Sequence, residues 1–423
     1  MIPVVAVVGG GWAGCAAAAA VQQAGAQAVL IERTDLLLGT GLAGGIMFNN
    51  GRLTAARELQ LMGGGALFDA IDRVTLHRRV DFPGHRHASL YDVDRIERAV
   101  RSALESMGVR VLTQSRAVDV VRSGTRLAGV VLSDGSSVAA DAFVDATGTA
   151  GPQANCGRVN GCCVMCVLRC PTFGPRVSIS AKAGVAEITG PLFSAMSGSC
   201  KLMKRSLAPW LVRRLEEQAA MVIPVPRYMA RADRAAHKAC QQYALPEFYD
   251  NIVLLDTGQA KLMAPFFPLS RLQAIAGFES AAFEDPRSGG IGNSIRYNLI
   301  TPHDTALKVD GVDNLFCAGE KAGLLVGHTE AICTGTLAGH NAVRHALGLP
   351  PFRPPVSTVL GDLLHYLDAT LRPPVGMPQK TTFAGGPYFS RMYDTGLYTT
   401  DEKRIAARVQ QAGCEHVFSR RLA

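Results

Sequence analysis

Two stretches carry residue types whose spacing can do chemistry. Near the amino terminus, Gly9-Gly10-Gly11-Trp12-Ala13-Gly14 sets three glycines in a G-x-G-x-x-G turn, and Glu32 follows 18 residues after Gly14. Gly9 suits a tight turn, Gly11 lets backbone approach a pyrophosphate, and Gly14 lets a helix pack close on a sheet. The helix that begins at Trp12 and Ala13 would offer free N–H groups to the phosphates, while Glu32, with Arg33 beside it, would accept from ribose hydroxyls. The second stretch, residues 162–171, reads CCVMCVLRCP. Cys163-x-x-Cys166 has the spacing of a redox dithiol, and a lowered thiol pKa would make either sulfur a nucleophile. Cys163, Cys166 and Cys170, with Pro171 behind, also reproduce the last three ligands of a ferredoxin-like cluster run. Asn160 stands where the first ligand would be, so Cys156 would have to complete such an iron–sulfur site. A structural reading competes with both, because free cysteine is often buried as a small hydrophobe. Zinc fits less well, for the Cys-x-x-Cys pair has no second pair and no nearby histidine.

These residues need elements to position them. Val4 to Val8 is a β-rich apolar run, the alanine-rich stretch Cys15 to Ala24 reads as a helix, and Ala28 to Ile31 reads as a second strand ending at Glu32. That order is the βαβ context in which the glycine turn acquires meaning. Apolar residues at Val93, Ile96, Val100 and Leu104 predict a helix over 92–107, opened by Asp92. Strands are expected at 109–112, 117–121, 128–132 and 142–144, the third forming half of a hairpin through Ser133-Asp134-Gly135-Ser136. Residues 201–218, KLMKRSLAPWLVRRLEEQ, read as a basic helix. Late in the chain, 314–318 predicts a strand and 329–347 a long helix. The prolines at 350–355 mark a boundary before helices at 359–371 and near 401–411.

With 423 residues, more than one structural unit is expected. Hydrophobic residues make up 48% and charged residues 18%, an ordinary composition for a chain with a full core. The net charge of +8 permits an anionic partner such as RNA without requiring one. No uninterrupted apolar run is long enough to predict a membrane span, and the glycine-broken start without basic residues does not read as a secretion signal. The odd cysteine count points to a reducing compartment, with the cytoplasm as the expected location.

Val144-Asp145-Ala146-Thr147-Gly148 and Asp313-Asn314-Leu315-Phe316-Cys317-Ala318-Gly319-Glu320 each end a strand in a small, flexible turn. With the first glycine turn, they resemble the arrangement of two-dinucleotide-fold flavoproteins. The resemblance implies FAD as cofactor, with Ala146, Thr147, Gly148, Gly319 and Glu320 against it and Val118 near the adenine. It also implies that the late helix aims its N-terminus at the isoalloxazine carbonyl, which makes His328 and Thr329 flavin-edge residues and places Glu330 close by. The stretch Gly319 to Val343, GEKAGLLVGHTEAICTGTLAGHNAV, is similar to the late FAD motif of the GidA-like flavoproteins. Those include tRNA uridine-modifying enzymes, among them the folate- and FAD-dependent tRNA uridine methyltransferase. Arg57 to Arg73 and Leu360 to Pro378 resemble further stretches of these enzymes. Residues 39–58 contain no cysteine, where the methyltransferases keep one.

The expectation is an α/β protein with a discontinuous, Rossmann-like two-dinucleotide-fold FAD domain, an inserted α+β substrate domain and a C-terminal helical cap. Its boundaries are 1–150 and 302–349 for the FAD domain, 151–301 for the insert and 350–423 for the cap. The expected activity is that of an FAD-dependent oxidoreductase, with Cys163, Cys166, Cys170 and His328 as catalytic residues. Arg169 and Arg176 are candidates for an anionic substrate. The alternatives are a flavin-dependent RNA-modifying enzyme and a flavin-binding electron-transfer subunit without chemistry of its own. Substrate, small molecule or RNA, stays open. The electron donor would be NAD(P)H or a protein, and the assembly a homo-oligomer away from membranes.

Overall fold

The structure is a computed structural model and describes residues 2–148, 170–197, 199–230, 245–264, 267–284, 294–371 and 381–423. β1 (Val4–Val8) leads through the glycine turn into α1 (Trp12–Gln23) and returns as β2 (Gln27–Ile31). β1 is buried because its five residues are apolar on both faces, as a central parallel strand requires. Between β2 and the next strand of the same sheet lie β3 (Ile46–Met47), α2 (Gly51–Leu61), α3 (Ala66–Asp72), β4 (Thr75–Phe82), β5 (His85–Tyr91) and α4 (Ile96–Ser106). β3, β5 and β4 form an antiparallel sheet of their own. β6 (Arg110–Leu112) then rejoins β2, and the meander β7 (Ala117–Ser123), β8 (Arg126–Leu132) and β9 (Ser137–Ala139) leads to β10 (Ala142–Asp145).

Residues 170–300 add α5 (Cys170–Phe173), α6 (Ile179–Lys182), β11 (Ile188–Ser197), β12 (Cys200–Leu202), α7 (Pro209–Gln218) and β13 (Ala220–Pro224). After them come α8 (Pro246–Tyr249), β14 (Asn251–Thr257), β15 (Gln259–Leu262), α9 (Leu269–Leu272) and β16 (Ser294–Ile300). β11 pairs with β16, and β12, β15, β14 and β13 form a four-stranded antiparallel sheet. β17 (Leu315–Cys317) then returns to the first sheet beside β10, which closes the parallel order β17-β10-β1-β2-β6. The Rossmann sheet is therefore discontinuous in sequence. α10 (His328–Ala346), α11 (Val359–Leu371), α12 (Gly386–Asp394) and α13 (Glu402–Gln411) complete the chain, giving the helical carboxyl-terminal region.

Two elements differ from the sequence expectation. The predicted helix over 201–218 is a strand, a 3-10 turn at Lys204–Ser206 and then α7. Cys200 and Leu202 gain strand partners in Leu262 and Ala260, and Pro209 fixes the helix start at its first turn. The helix predicted from Asp92 begins at Ile96, because the Asp92 carboxylate accepts from the Asp94 N–H within a turn.

α1 and α10 cross at backbone contact. A Cβ at Gly335 would lie 2.1 Å from the Ala13 carbonyl oxygen, and one at Gly339 would lie 2.3 Å from that of Ala17. The opposite side of α10 buries His340 between the ring edges of Phe352 and Phe418. Neither ring nitrogen of His340 has a hydrogen-bond partner among the described residues. Burial first, then the nearby Arg344 charge, push its pKa from 6.5 down to about 4. The unfolded chain takes up this proton near 6.5, so between 6.5 and about 4 it binds more protons than the folded chain. The neutral ring's contribution is whole above that window and is lost as the pH falls through it, a change of about 3 kcal/mol. His340→Leu should therefore lose less stability than the parent between pH 7 and pH 4.5, measured by urea denaturation at each pH. Equal losses in the two proteins would refute this.

Candidate functional site

The strand order reverses at β1, with β2 on one side and β10 on the other, and the crevice at such a point is where open α/β sheets bind ligands. Gly9 has φ of +102°, and a Cβ there would come within 2.4 Å of the Ala146 carbonyl oxygen. At Gly14 a Cβ would strike the Gly9 carbonyl oxygen at 1.8 Å, so only glycine lets α1 rise this close to β1. Gly11 differs from both: its backbone is extended at φ of −67°, and a Cβ there would meet no atom within 4 Å. It borders a cleft with about 1010 Å³ of empty space, part of it continuous with solvent.

Several chain segments wall this cleft. The first turn supplies Gly9, Gly11, Trp12 and Ala13, and the end of β2 supplies Glu32 and Arg33. The end of β10 supplies Ala146, Thr147 and Gly148. After β17 come Ala318, Gly319 and Glu320, with His328 at the start of α10. Gly14 lies behind the wall as packing. No side chain caps α1 or α10, so neither amino-terminal N–H set is taken by a capping group. The Trp12 indole is 3% exposed, and its Nε1 has no partner among the described residues. It abuts Gly41, whose Cβ would sit 2.3 Å from that nitrogen. These glycine gaps and uncapped helix starts suit an elongated, phosphate-bearing ligand.

The carboxylate of Glu32 also holds the turn itself. It accepts from the Gly10 N–H at 2.7 Å and from the N–H and hydroxyl of Thr34 at 2.8 and 2.9 Å. Arg33 donates to the Gly174 carbonyl at 2.6 Å, and Arg116 to that of Pro175 at 2.9 Å. Arg176, also on the cleft wall, donates to the Thr147 carbonyl at 3.4 Å. The 174–176 segment is thereby bound to the flank of the cleft. Behind it Asp145 is fully buried and accepts from Thr147 and from the N–H and hydroxyl of Ser180. Burial alone would raise the Asp145 carboxyl, but the Lys321 ammonium and these hydrogen bonds outweigh it and hold the pKa below the ordinary range.

At the far end of the cleft, His328 packs against Trp12 with ring centroids 5.4 Å apart. Its Nδ1 lies 3.2 Å from the Tyr91 hydroxyl. Burial first pushes the Tyr91 pKa far up, so the phenol keeps its proton and can donate to Nδ1.

Three predicted residues stand elsewhere. The cleft wall near the proposed adenine end is Ala117, whereas Val118, the next residue of the strand, does not line it. The Thr329 hydroxyl points to Met47 Sδ at 3.3 Å, inside the core. Glu330 turns away from the cleft and pairs with Arg52, whose Nε is 3.1 Å from either carboxylate oxygen. The Thr382 hydroxyl and the Phe383 N–H also donate to Glu330. Arg52 in turn donates to the Val326 carbonyl and to Asn49. A Cβ at Gly327 would fall 1.9 Å from Glu330 Oε2, so this pair lies directly under the turn that presents His328. Sequence reasoning missed Arg52, Tyr91 and Asp145. Arg52 follows Asn49-Asn50-Gly51 at the start of α2, with no motif around it to single it out.

Of the predicted thiols, Cys170 opens α5, while Cys156, Cys162, Cys163 and Cys166, with Arg169, lie outside the described residues. Among the described residues no group of three or more His, Cys, Asp or Glu could hold a metal ion. Cys15, Cys200, Cys317, Cys333 and Cys414 are buried, and none of these five is in a disulfide. No helix among the described residues is long and apolar enough to cross a membrane.

The sheet order, the glycine turn and the cleft define a Rossmann-type nucleotide-binding protein of the flavoprotein class. The sequence profile of the glucose inhibited division protein A family matches residues 4–200 and 267–350, and the chain belongs to that family. A Thermus thermophilus relative, named methylenetetrahydrofolate–tRNA-(uracil-5-)-methyltransferase TrmFO, is 40% identical over 102 residues, 24% of this chain and 22% of its own. The protein of the same name from Dinoroseobacter shibae is 32% identical over 112 residues, 26% of this chain and 24% of its own. The chain thus matches less than a quarter of the length of these relatives. Aquifex aeolicus GidA shares the fold, with a TM-score of 0.70 over 99% of this chain and 74% of that one at 17% identity.

Proposed function

We propose that the protein is an FAD-dependent enzyme that modifies RNA, with a uridine of tRNA as its substrate. The observation that carries the cofactor is the open space at Gly11, beside an uncapped helix start and the buried Trp12 indole N–H. In this reading Gly9, Gly11, Trp12 and Ala13 hold the pyrophosphate, and Gly14 lets α1 deliver its N–H groups. Glu32 and Arg33 take the adenosine ribose, and Ala117 replaces Val118 beside the adenine. Ala146, Thr147 and Gly148 line the adenosine half, while Gly319 and Glu320 follow the ribitol. When bound, FAD supplies the redox chemistry. His328 stands at the reacting end, held by its contact with the Tyr91 hydroxyl and by packing on Trp12. The backbone N–H of Thr329, not its hydroxyl, adds to the positive end of α10. Residues 1–150 and 302–349 would form the cofactor domain, with 151–301 inserted and 350–423 as the cap.

The family membership, the names borne by the Thermus and Dinoroseobacter relatives and the charge of +8 support RNA as substrate. One observation favours a second reading, that of an oxidoreductase acting on a small molecule with NAD(P)H or a protein as donor. Residues 39–58, which reach the cleft at Gly39, Thr40 and Gly41, contain no cysteine to carry a methyl group.

Titration with FAD, followed by incubation with unmodified tRNA and mass spectrometry of the nucleosides, tests both parts. Stoichiometric FAD uptake and a mass change on uridine are expected. Failure to bind FAD would remove the whole proposal. FAD uptake and reduction by NAD(P)H without any change in the RNA would select the second reading.

A further inference from the structure

The four-stranded sheet β12-β15-β14-β13 has two buried faces. Val253, Leu255 and Met263 turn toward the sheet of β3, β5 and β4, packing with Ile46, Val80 and Leu90. Ile252, Leu254, Leu262 and Leu202 turn the other way, onto Leu211 and Leu215 of α7. α7 is therefore an outer layer, separated by the sheet from β5, whose Tyr91 reaches His328 at the cleft.

The outward side of α7 has an unusual composition. Trp210, Arg213 and Arg214 stand at helical i, i+3 and i+4, so they share one ridge, and all three are exposed. Trp210 is 45% exposed, and its inner edge is seated on Gly277, where a Cβ would be 2.7 Å from the ring. The Ala208 N–H donates to the Gly277 carbonyl at 2.9 Å and fixes this seat. Arg205 joins from the preceding 3-10 turn. That turn is tied to α7 through Lys204, which bonds Glu216 at 3.1 Å and Asp256 at 2.7 Å. Lys204 thus occupies Glu216, and Arg205, Arg213 and Arg214 have no carboxylate partner among the described residues. Residues 199–230 carry six Lys or Arg against two Glu, and of these two only Glu217 remains on the ridge.

A held indole flanked by unpaired guanidinium groups matches the chemistry of a nucleic-acid backbone with an accessible base. We infer that the α7 ridge, Trp210 with Arg205, Arg213 and Arg214, is a docking surface for the body of an RNA substrate, remote from the reacting base. This rests on the reading of the protein as an RNA-modifying enzyme. The arginines neutralise phosphates and the indole stacks on an exposed base.

The test compares binding of unmodified tRNA by full-length protein at 50 to 200 mM KCl, as order-of-magnitude conditions for a salt slope. The variants are Arg205→Glu/Arg213→Glu/Arg214→Glu, Trp210→Ala, and an equal charge change elsewhere, Arg98→Glu/Arg110→Glu/Arg404→Glu. The ridge triple should weaken binding about tenfold or more beyond the control triple and lower the salt slope by about 2 to 3. Trp210→Ala should weaken binding several-fold with the slope unchanged, and the FAD spectrum should be the same in all. Parent protein that binds tRNA with ridge and control variants equally affected would overturn the surface and leave the proposed function standing. Parent protein that does not bind tRNA would overturn both. A changed oligomeric state in Trp210→Ala would show a contact between copies of the chain instead, and would also overturn the inference.

Discussion

Gly11→Val is expected to yield a folded protein that takes up no FAD. The backbone at Gly11 is extended, a conformation valine favours, and a Cβ there touches nothing within 4 Å. The substitution therefore costs the empty protein little. The added methyl groups would fill the approach to the uncapped start of α1, where the pyrophosphate must come to backbone contact. FAD affinity should fall by about a thousandfold, as the phosphate hydrogen bonds are lost together, each worth about 1.5 to 3 kcal/mol. Gly14→Val supplies the contrast: its Cβ would overlap the Gly9 carbonyl oxygen, so this variant should lose the fold as well as the cofactor. Thermal unfolding of the apo proteins beside FAD titration separates the two. A Gly11→Val protein that bound FAD like the parent would place the cofactor somewhere else.

The second large effect is expected at Arg52. Its side chain is 6% exposed and that of Glu330 is fully buried, so Arg52→Ala strands a carboxylate whose remaining partners are one hydroxyl and one N–H. Breaking a buried pair from one side costs about 3 to 5 kcal/mol. The double variant Arg52→Met/Glu330→Gln removes both charges and should cost clearly less than the sum of the singles. Because Arg52 also holds the Val326 carbonyl, the single variant should loosen the Gly327–His328 turn and weaken FAD binding in step. Urea denaturation of the parent, Arg52→Ala, Arg52→Met, Glu330→Gln and the double variant checks the stability part. A loss below about 1 kcal/mol for Arg52→Ala would mean that the pair does not hold the turn.

Much of the fold was legible because its signals are local. Five apolar residues, a glycine turn, an alanine-rich helix and a second strand fall within 32 positions, and the late strand repeats the pattern before α10. What escaped notice depends on distance along the chain. Arg52 and Glu330 are 278 residues apart, and Tyr91 and His328 are 237 apart, so no window of sequence contains either pair. Val118 shows a different limit. In a strand, neighbouring side chains point to opposite faces, so the cleft is lined by Ala117 while Val118, one residue on, is not among its lining residues. The basic stretch 201–218 looked helical because its composition is, yet the pairing of Cys200 and Leu202 with β15 prevailed over propensity at its start. The cysteine run at 162–170 was conspicuous by spacing, and of it only the backbone of Cys170 falls among the described residues.

The crossing of α1 and α10 through Gly335 and Gly339 has a mechanical consequence. Both helices begin at the cleft, and at Gly335 and Gly339 no side chain of α10 separates its backbone from that of α1. Neither can slide or rotate without carrying the other, so their two positive ends keep a constant separation while substrate comes and goes. Any closing motion has to come from the segments around them.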